Sequence, residues 1–342
     1  MTRTCRLIFL IGLAVELFCA GALRADETNA APVRYKEMAG PFEVETVKYD
    51  WHDQKRNRDV PAKIYYPKTG GPFPVIIFSH GLGGSRDGYE YLGRHWASHG
   101  YVSVHVQHLG SDSAVWRDAP AGERWQALER SAMNIQNAVE RPKDVSFAID
   151  QMKALNAEDG PFKGRVDLER VGVAGHSFGA FTTLAVAGET FPTLDGSGER
   201  TAVDPRVKAA IAMSSPVPAL KARWDKAFAK IRIPMFHMTG TKDDSPIGSS
   251  KAPDRRVPFD KISGADQYLV TFKDGDHMVF SGHLPGQSGG ENDALFQSFV
   301  LMGATAFWDA YLKDDARAKA WLTTDGFAEV LKDNGKFERK FK

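Results

Sequence analysis

The stretch VGVAGHSFG at residues 171–179 joins a short apolar run, Val171–Ala174, to a helical pattern that contains Thr182, Thr183 and Leu184. Its last five residues have the spacing G-x-S-x-G, in which the serine occupies a sharp turn between a strand and a helix. Side chains at the two flanking positions would collide in such a turn, so both are glycine. The turn lifts the serine oxygen above the sheet and points the helix N-terminus at it. The stretch predicts a nucleophile at Ser177; the alternative is a glycine-rich turn with a capping serine.

Apolar runs recur along the rest of the chain and predict a mostly parallel sheet. Residues 43–49 alternate polar and apolar, and 58–66 read as their antiparallel partner, which indicates an N-terminal hairpin. The later runs are continuously apolar, as in strands that are covered on both faces; they cover residues 75–78, 101–106, 171–174, 207–213, 234–238 and 268–272. Helical patterns fill the gaps, so the expected fold class is α/β with helices on both faces of the sheet.

The intervals between these runs carry more specific expectations. Trp125, Leu128, Ile135 and Val139 predict one helix face, and Pro142 predicts either a break or a kink before the pattern resumes. Trp125 is expected to pack in the core. Residues 188–204 and 245–264 are expected to form irregular surface excursions, and 336–342 a solvated basic tail.

Composition excludes several classes of protein. The 342 residues carry a formal net charge of +1 and are 42% hydrophobic and 25% charged. Such a chain can build a large core, and its charge gives no case for binding nucleic acid or an anionic membrane. We find no internal repeat and no linker, so residues 26–342 are expected to form a single domain with a core of about 43–312.

The first 25 residues predict a secretory signal peptide. Arg3 and Arg6 precede an apolar run from Leu7 to Ala20, and small residues follow at the expected cleavage points, after Ala22 or Ala25. The run is shorter than the ~20 residues that a membrane span needs. Both cysteines lie within this segment, so the mature, exported chain would contain no disulfide, thiolate metal site or cysteine nucleophile.

A serine hydroxyl needs a base to take its proton and a third group to hold that base. In this type of sheet the partners follow the serine in the order acid, then histidine. His277 comes just after the last predicted strand and is our candidate base, with His283 as the alternative. His237 lies inside an apolar run, where a structural role is expected.

The acid is expected after the run at 234–238, where a glycine turn leads into two adjacent aspartates. We choose Asp243, three residues after Gly240, and keep Asp244 as the alternative, because adjacent carboxylates cannot both point into one site. Asp276 adjoins His277, but neighbours along a loop usually point apart.

Acyl transfer also requires donors for the oxyanion that forms in the transition state. The segment Ser79–Gly84 follows an apolar strand. A loop in this position usually supplies one of the donors. The predicted pair is the backbone N–H of Leu82 and that of Phe178, the residue after the nucleophile. His80 is expected to brace this loop by hydrogen bonds.

Together, His80-Gly81-Leu82-Gly83-Gly84, Gly175-His176-Ser177-Phe178-Gly179, Gly240-Thr241-Lys242-Asp243 and Asp276-His277 resemble the α/β-hydrolases. The chain is most similar to the dienelactone hydrolase-like esterases, which include platelet-activating-factor acetylhydrolases, chlorophyllase-type enzymes and cutinases. The resemblance implies an acyl-enzyme mechanism through serine, histidine and aspartate, with no metal and no organic cofactor. Some acetylhydrolase relatives carry the acid one strand earlier. Here that strand ends Met213-Ser214-Ser215-Pro216, which supports Asp243 and argues against that branch.

The sequence thus predicts an exported serine esterase that acts on a small-molecule, lipid or polymer ester. A serine peptidase or amidase on the same fold is the alternative enzyme, and a catalytically silent binding protein is the alternative outside enzymes. His105, Gln107, His108 and Asp112 cluster after one strand, but His105 and His108 would face opposite sides of it, so a metal site is not expected.

Overall fold

A mostly parallel sheet of nine strands lies at the centre of the protein, which confirms the predicted fold class. The computed structural model describes residues 35, 38–193, 195–281, 290 and 292–342. The strands of this part of the chain are β1 (Val44–Asp53), β2 (Arg58–Pro67), β3 (Phe73–Ser79), β4 (Val102–Val106), β5 (Val166–His176), β6 (Thr190–Pro192), β7 (Glu199–Thr201), β8 (Val207–Met213), β9 (Met235–Lys242), β10 (Gln267–Asp276) and β11 (Gly335–Lys340).

The strand order in the large sheet is β1-β2-β4-β3-β5-β8-β9-β10-β11. The strands from β4 to β10 in this order run parallel, whereas β1 and β2 form the predicted antiparallel hairpin and β11 is antiparallel to β10. The strands β6 and β7 form a separate two-stranded ribbon.

Helices cover both faces of the sheet. They are α1 (Glu90–Ser98), α2 (Ala114–Arg117), α3 (Arg124–Met133), α4 (Ile135–Ala157), α5 (Phe178–Ala187), α6 (Trp224–Phe228), α7 (Val257–Lys261), α8 (Asp293–Leu312), α9 (Ala316–Thr323) and α10 (Gly326–Leu331). None of the helices in the described ranges combines the length and the apolar character that crossing a bilayer would require.

The central strands are continuously apolar because they supply two cores at once. Along β3, Ile76 and Phe78 pack into a cluster on one face with Trp308 of α8. Val75 and Ile77 pack into the cluster on the other face, which α4 covers. Alternate side chains of a strand point to opposite faces, so a strand between two helical layers needs apolar residues at every position.

The break in the middle helices falls at Asn134 and not at Pro142. Asn134 has an extended backbone, and its side chain accepts a hydrogen bond from the N–H of Gln136, so it caps α4. The helix then continues through Pro142. Because the break changes the helical phase, the predicted apolar face is not continuous, and the prediction that Trp125 packs in the core is wrong. Its side chain is 49% exposed, and its indole N–H donates to Glu129.

The core extends beyond residue 312, and the expected basic tail is the edge strand β11. Phe337 of β11 lies against Tyr268 and Phe327, whereas Glu338 pairs with Arg256 at 3.2 Å. Lysines along the strand gave the segment its polar appearance, but they are common on edge strands, where they discourage pairing with other chains.

The predicted signal peptide and the alternative base His283 lie outside the described residues.

Candidate active site

The residues predicted to act together all follow strands at one edge of the sheet. Leu82 comes after β3, Ser177 directly after β5, Asp243 after β9 and His277 directly after β10. Because these strands are parallel and adjacent or nearly adjacent, their carboxyl ends meet at the same edge. Four segments distant in sequence are therefore close in space.

Ser177 occupies a strained turn between β5 and α5. Its backbone angles are φ 55° and ψ −116°, a conformation that is unfavourable for a residue with a side chain. A Cβ on Gly175 would overlap the carbonyl of Gly179, and a Cβ on Gly179 would overlap the carbonyl of Ser79 on β3. The G-x-S-x-G spacing is thus a direct consequence of how closely the turn approaches the neighbouring strand.

We expect Gly179→Ala to lower the free energy of unfolding by about 3 kcal/mol, because the Cβ meets backbone of a buried strand that cannot move aside. Gly122→Ala is the matched control, since nothing lies within 4 Å of a Cβ at that position. Urea unfolding of both variants measures the difference. Equal stability of the two would contradict this account of the turn.

His277 bridges the serine and one of the two aspartates. Its Nε2 lies 2.9 Å from Ser177 Oγ, and its Nδ1 lies 2.7 Å from Asp243 Oδ1. A carboxylate only accepts, so Nδ1 carries the proton that binds Asp243, and Nε2 accepts from the serine hydroxyl. This chain of hydrogen bonds can remove the serine proton and return it.

Asp243 is held as a carboxylate beneath His277. The side chain is buried, and Oδ2 accepts from the hydroxyl of Thr239 at 2.7 Å. Burial alone would raise the pKa of Asp243, but the hydrogen bond from His277 and the charge of Arg255 outweigh it and leave that pKa below its ordinary value.

The alternative acid Asp244, and Asp276 and His237, which were not expected to be catalytic, all have other partners. Asp244 points to solvent, where it pairs with Lys251 at 3.0 Å. Asp276 accepts from the N–H of Met278. His237 is buried and its Nε2 lies 2.9 Å from Gln267 Oε1, as a structural histidine would be.

The predicted oxyanion donors are the backbone N–H groups of Leu82, in the loop after β3, and of Phe178, which follows Ser177. Phe178 is the first residue of α5, so its N–H has no acceptor within the helix. In the turn of the Ser79–Gly84 loop, the N–H of Gly83 donates to Ser111 O, whereas that of Leu82 donates to no acceptor among the described residues. Neither N–H therefore donates to another acceptor among the described residues, as an oxyanion donor requires.

Buried polar residues support the two segments that carry Leu82 and Phe178. His80 Nε2 accepts from the N–H of His108, and its Nδ1 lies 2.6 Å from Gly81 O, so it braces the loop as expected. Arg141 of α4 is fully buried; it donates to the carbonyl of His80, and its guanidinium lies 4.5 Å from the centre of the Phe178 ring. Burial lowers the pKa of Arg141 to about 9.

A second histidine ties the base to the same loop. His176 Nε2 donates to the backbone carbonyl of His277 at 2.9 Å, which leaves Nδ1 to accept from the hydroxyl of Tyr89 at 2.8 Å. The Tyr89 oxygen in turn accepts from the N–H of Gly81. Burial holds the pKa of His176 well below its ordinary value, so the ring stays neutral.

Arg255 is a residue of the site that the sequence analysis missed. It belongs to a short 3-10 helix, Ala252–Arg256, within a segment expected to be an irregular surface excursion, yet only 2% of its surface is exposed. Its Nη1 donates to Ser214 O at 2.8 Å and its Nε to Asp243 O at 3.1 Å. Nη2 lies 3.3 Å from His277 Nδ1.

The described residues contain no group of three or more histidine, cysteine, aspartate or glutamate side chains that could hold a metal ion. Two histidines that were weighed as metal ligands have other contacts. His108 lies against Ser79 and Asp144, and His105 packs edge-on against Tyr65.

Comparisons with known proteins show similarity to ester hydrolases. A family model described as platelet-activating factor acetylhydrolase, isoform II, matches residues 53–158. The acetylhydrolase of Cavia porcellus is 26% identical over 295 residues, which is 77% of this chain and 63% of that protein. That of Canis lupus familiaris is 27% identical over 231 residues, 58% of this chain and 48% of that protein. Cutinase 2 of Thermobifida cellulosilytica is 26% identical over 126 residues, 37% of this chain and 38% of that protein.

The chain thus spans roughly half to two thirds of the acetylhydrolases that it matches. The lack of a carboxylate after β8 argued against the acetylhydrolase branch, yet that branch supplies both the family model and the alignment over 295 residues. The mostly parallel nine-stranded sheet is that of an α/β-hydrolase fold, and the chain is similar to acetylhydrolases and cutinases of the α/β-hydrolase superfamily.

Proposed function

We propose that the protein is a serine esterase that cleaves carboxylic esters through an acyl-Ser177 intermediate. The observation that carries this proposal is the continuous chain from Ser177 Oγ through His277 to Asp243, with distances of 2.9 and 2.7 Å. The similarity to acetylhydrolases and cutinases supports an ester as the substrate.

In the first half of the reaction, Ser177 Oγ attacks the ester carbonyl while His277 Nε2 takes its proton. The negative charge that develops on the carbonyl oxygen is stabilised by the N–H groups of Leu82 and Phe178. Asp243 holds the ring orientation and stabilises the imidazolium. When the tetrahedral intermediate collapses, His277 gives the proton to the departing alkoxide, and the alcohol leaves.

In the second half, His277 takes a proton from water, and the resulting hydroxide attacks the acyl-Ser177 carbonyl. The same two N–H groups bind the second oxyanion. Collapse returns the proton from His277 to Ser177 Oγ and releases the carboxylic acid. The hydrogen bond between His176 and the carbonyl of His277 keeps the base loop in position throughout.

We further propose that the chain is exported after cleavage of a signal peptide, on the basis of the segment 1–25. Within enzymes, the competing function is that of a peptidase or amidase; outside enzymes, it is that of a silent binding protein. Free oxyanion donors and an intact hydrogen-bond chain favour an active hydrolase over the latter.

Two measurements test the esterase proposal. A fluorescent fluorophosphonate is expected to label the wild type and Ser215→Ala but not Ser177→Ala; Ser215 is a buried serine after the neighbouring strand β8. Paired p-nitrophenyl esters and p-nitroanilides of the same acyl groups are expected to show turnover of the esters only. Efficient cleavage of the anilides would show that the protein is an amidase. Absence of labelling would indicate a catalytically silent binding protein.

Arg255 is expected to act as a positioning residue that also sets the acid limit of activity. Among the residues that the structure describes, the imidazole of His277 faces Asp243, Ser177, His176 and Arg255. The proton on Nδ1 already binds Asp243, so Arg255 contributes a positive charge there and not a hydrogen bond. This charge helps to hold the pKa of Asp243 below its ordinary value, so its removal in Arg255→Gln should raise that pKa and move the acid limb of the kcat profile to higher pH.

Arg255→Lys retains the charge and is the matched control; it is expected to lose part of kcat while the position of the acid limb changes little. Full pH–rate profiles of both variants separate the two effects. If the acid limb moves equally in both variants, or in neither, Arg255 has a structural role only.

A further inference from the structure

A cavity of about 800 Å³ lies away from Ser177, Asp243 and His277, none of which lines it. It runs over α4 and α5 between the turn that joins β1 to β2 and the ribbon of β6 and β7. Its volume is within the usual range for sites that bind small molecules, about 300–1,000 Å³. Neither the proposed esterase mechanism nor the comparisons assign it a role.

One wall of the cavity is apolar. Phe147 of α4, Phe181 of α5 and Phe191 of β6 line it together with Val203. The rings of Phe181 and Phe191 lie 5.3 Å apart, and Val203 is 50% exposed. Such a surface favours contact with a hydrocarbon chain or ring over contact with water.

The cavity also contains an arginine without a partner. The side chain of Arg200 in β7 forms no ion pair and no hydrogen bond with any residue that the structure describes, and its Nε is buried. Its neighbours in the fold behave differently: Arg206 pairs with Asp204 at 2.6 Å, and Arg223 pairs with Glu199 at 3.0 Å. A buried guanidinium N–H without an acceptor is costly, so an acceptor from outside the chain would be favoured.

A second guanidinium points to the same ligand chemistry. Arg56 also lines the cavity, and its Nη2 is buried without a partner, although its other nitrogens bind Asp53, Glu140 and Asp144. The carboxylates that line the cavity pair with other arginines: Asp53 with Arg56, and Asp150 with Arg206 at 2.5 Å. Unpaired donors beside an apolar wall match an anion that carries an apolar chain.

We propose that this cavity is a second, non-catalytic site that binds an anionic amphiphile, with its oxyanion on Arg200 and its chain against Phe181 and Phe191. The site is independent of the proposed esterase activity, since no residue of the Ser177–His277–Asp243 chain takes part in it. Binding is therefore measured directly and not through turnover.

The test is isothermal titration of the full chain with dodecanoate, and with dodecanol as the uncharged comparison. The wild type is expected to bind dodecanoate at least tenfold more tightly than dodecanol. Arg200→Gln should weaken dodecanoate binding about tenfold, as expected for loss of a charge-assisted hydrogen bond. Arg170→Gln is the matched control, because Arg170 is a half-exposed arginine that does not line the cavity.

Three other results of the titration would overturn the proposal. Equal binding of dodecanoate to the wild type and to Arg200→Gln would place the ligand elsewhere, including the active site. Equal affinity for dodecanoate and dodecanol would show that the cavity is a hydrophobic surface with no anion site. No heat of binding to the wild type would show that the cavity is not a binding site for these ligands. Failure of fluorophosphonate labelling would count against the esterase only.

Discussion

Ser177→Ala is expected to lower kcat for ester hydrolysis by about 10⁶, the loss seen when the nucleophile of such a chain is removed. The alanine cannot form the acyl intermediate, and His277 is left without the hydroxyl that lies 2.9 Å from its Nε2. The free N–H groups of Leu82 and Phe178 remain, so residual catalysis above the rate in water should persist. Initial rates with a p-nitrophenyl ester measure the change.

Ser215→Ala is the control for the loss of a buried hydroxyl at this edge of the sheet. Its Oγ has no hydrogen-bond partner among the described residues, so we expect it to retain nearly full activity and a similar unfolding midpoint. The strained φ of 55° at position 177 tolerates alanine no worse than serine, so the Ser177→Ala protein should remain folded. Retention of more than about one hundredth of the wild-type kcat in that variant would end the proposed mechanism.

Much of the sheet was predictable because its signals are local. Every predicted run corresponds to an observed strand, since a strand between two helical layers must be apolar along its length. The relation between Ser177, Asp243 and His277 was also predictable from their positions just after strands, because parallel strands bring their carboxyl ends to one edge. The structure adds the distances that join the three side chains.

Features that depend on contacts between distant segments could not be predicted. Arg255 comes from a segment with no regular pattern, and only the fold brings its guanidinium to Asp243 and His277. Arg141 likewise has no distinguishing signal in the sequence, because only the packing of α4 brings its guanidinium to the carbonyl of His80. Residues 336–342 resembled a basic tail, whereas 335–340 form an edge strand; such a strand has one polar side and needs only a few apolar contacts.

The same limit applies to the break between α3 and α4. A proline is a strong signal in sequence, whereas Asn134 acts through its cap on the N–H of Gln136, which depends on backbone geometry. Placing the break at Pro142 assigned Trp125 and Ile135 to one apolar face. In the structure these side chains are 49% and 59% exposed.

Asp243→Asn is expected to lower kcat by about 10⁴, because the amide can donate to Nδ1 and stabilise the tautomer that carries its proton on Nε2. That tautomer cannot accept the proton of Ser177. The substitution also removes the negative charge beside the buried Arg255, so we expect some loss of thermal stability in addition. Thermal unfolding measured alongside kcat ensures that rates are compared for folded protein.

The adjacent carboxylate provides the control. Asp244→Asn removes only an exposed ion pair with Lys251, since the amide oxygen can still accept from the N–H of Ala252. Exposed pairs contribute about 0–1 kcal/mol, so both kcat and stability should change little. The two variants differ by one position and by the same chemical replacement, and the expected ratio of their kcat values is about 10⁴ in favour of Asp244→Asn. Similar losses in both, or the larger loss at position 244, would contradict the assignment of the acid to Asp243.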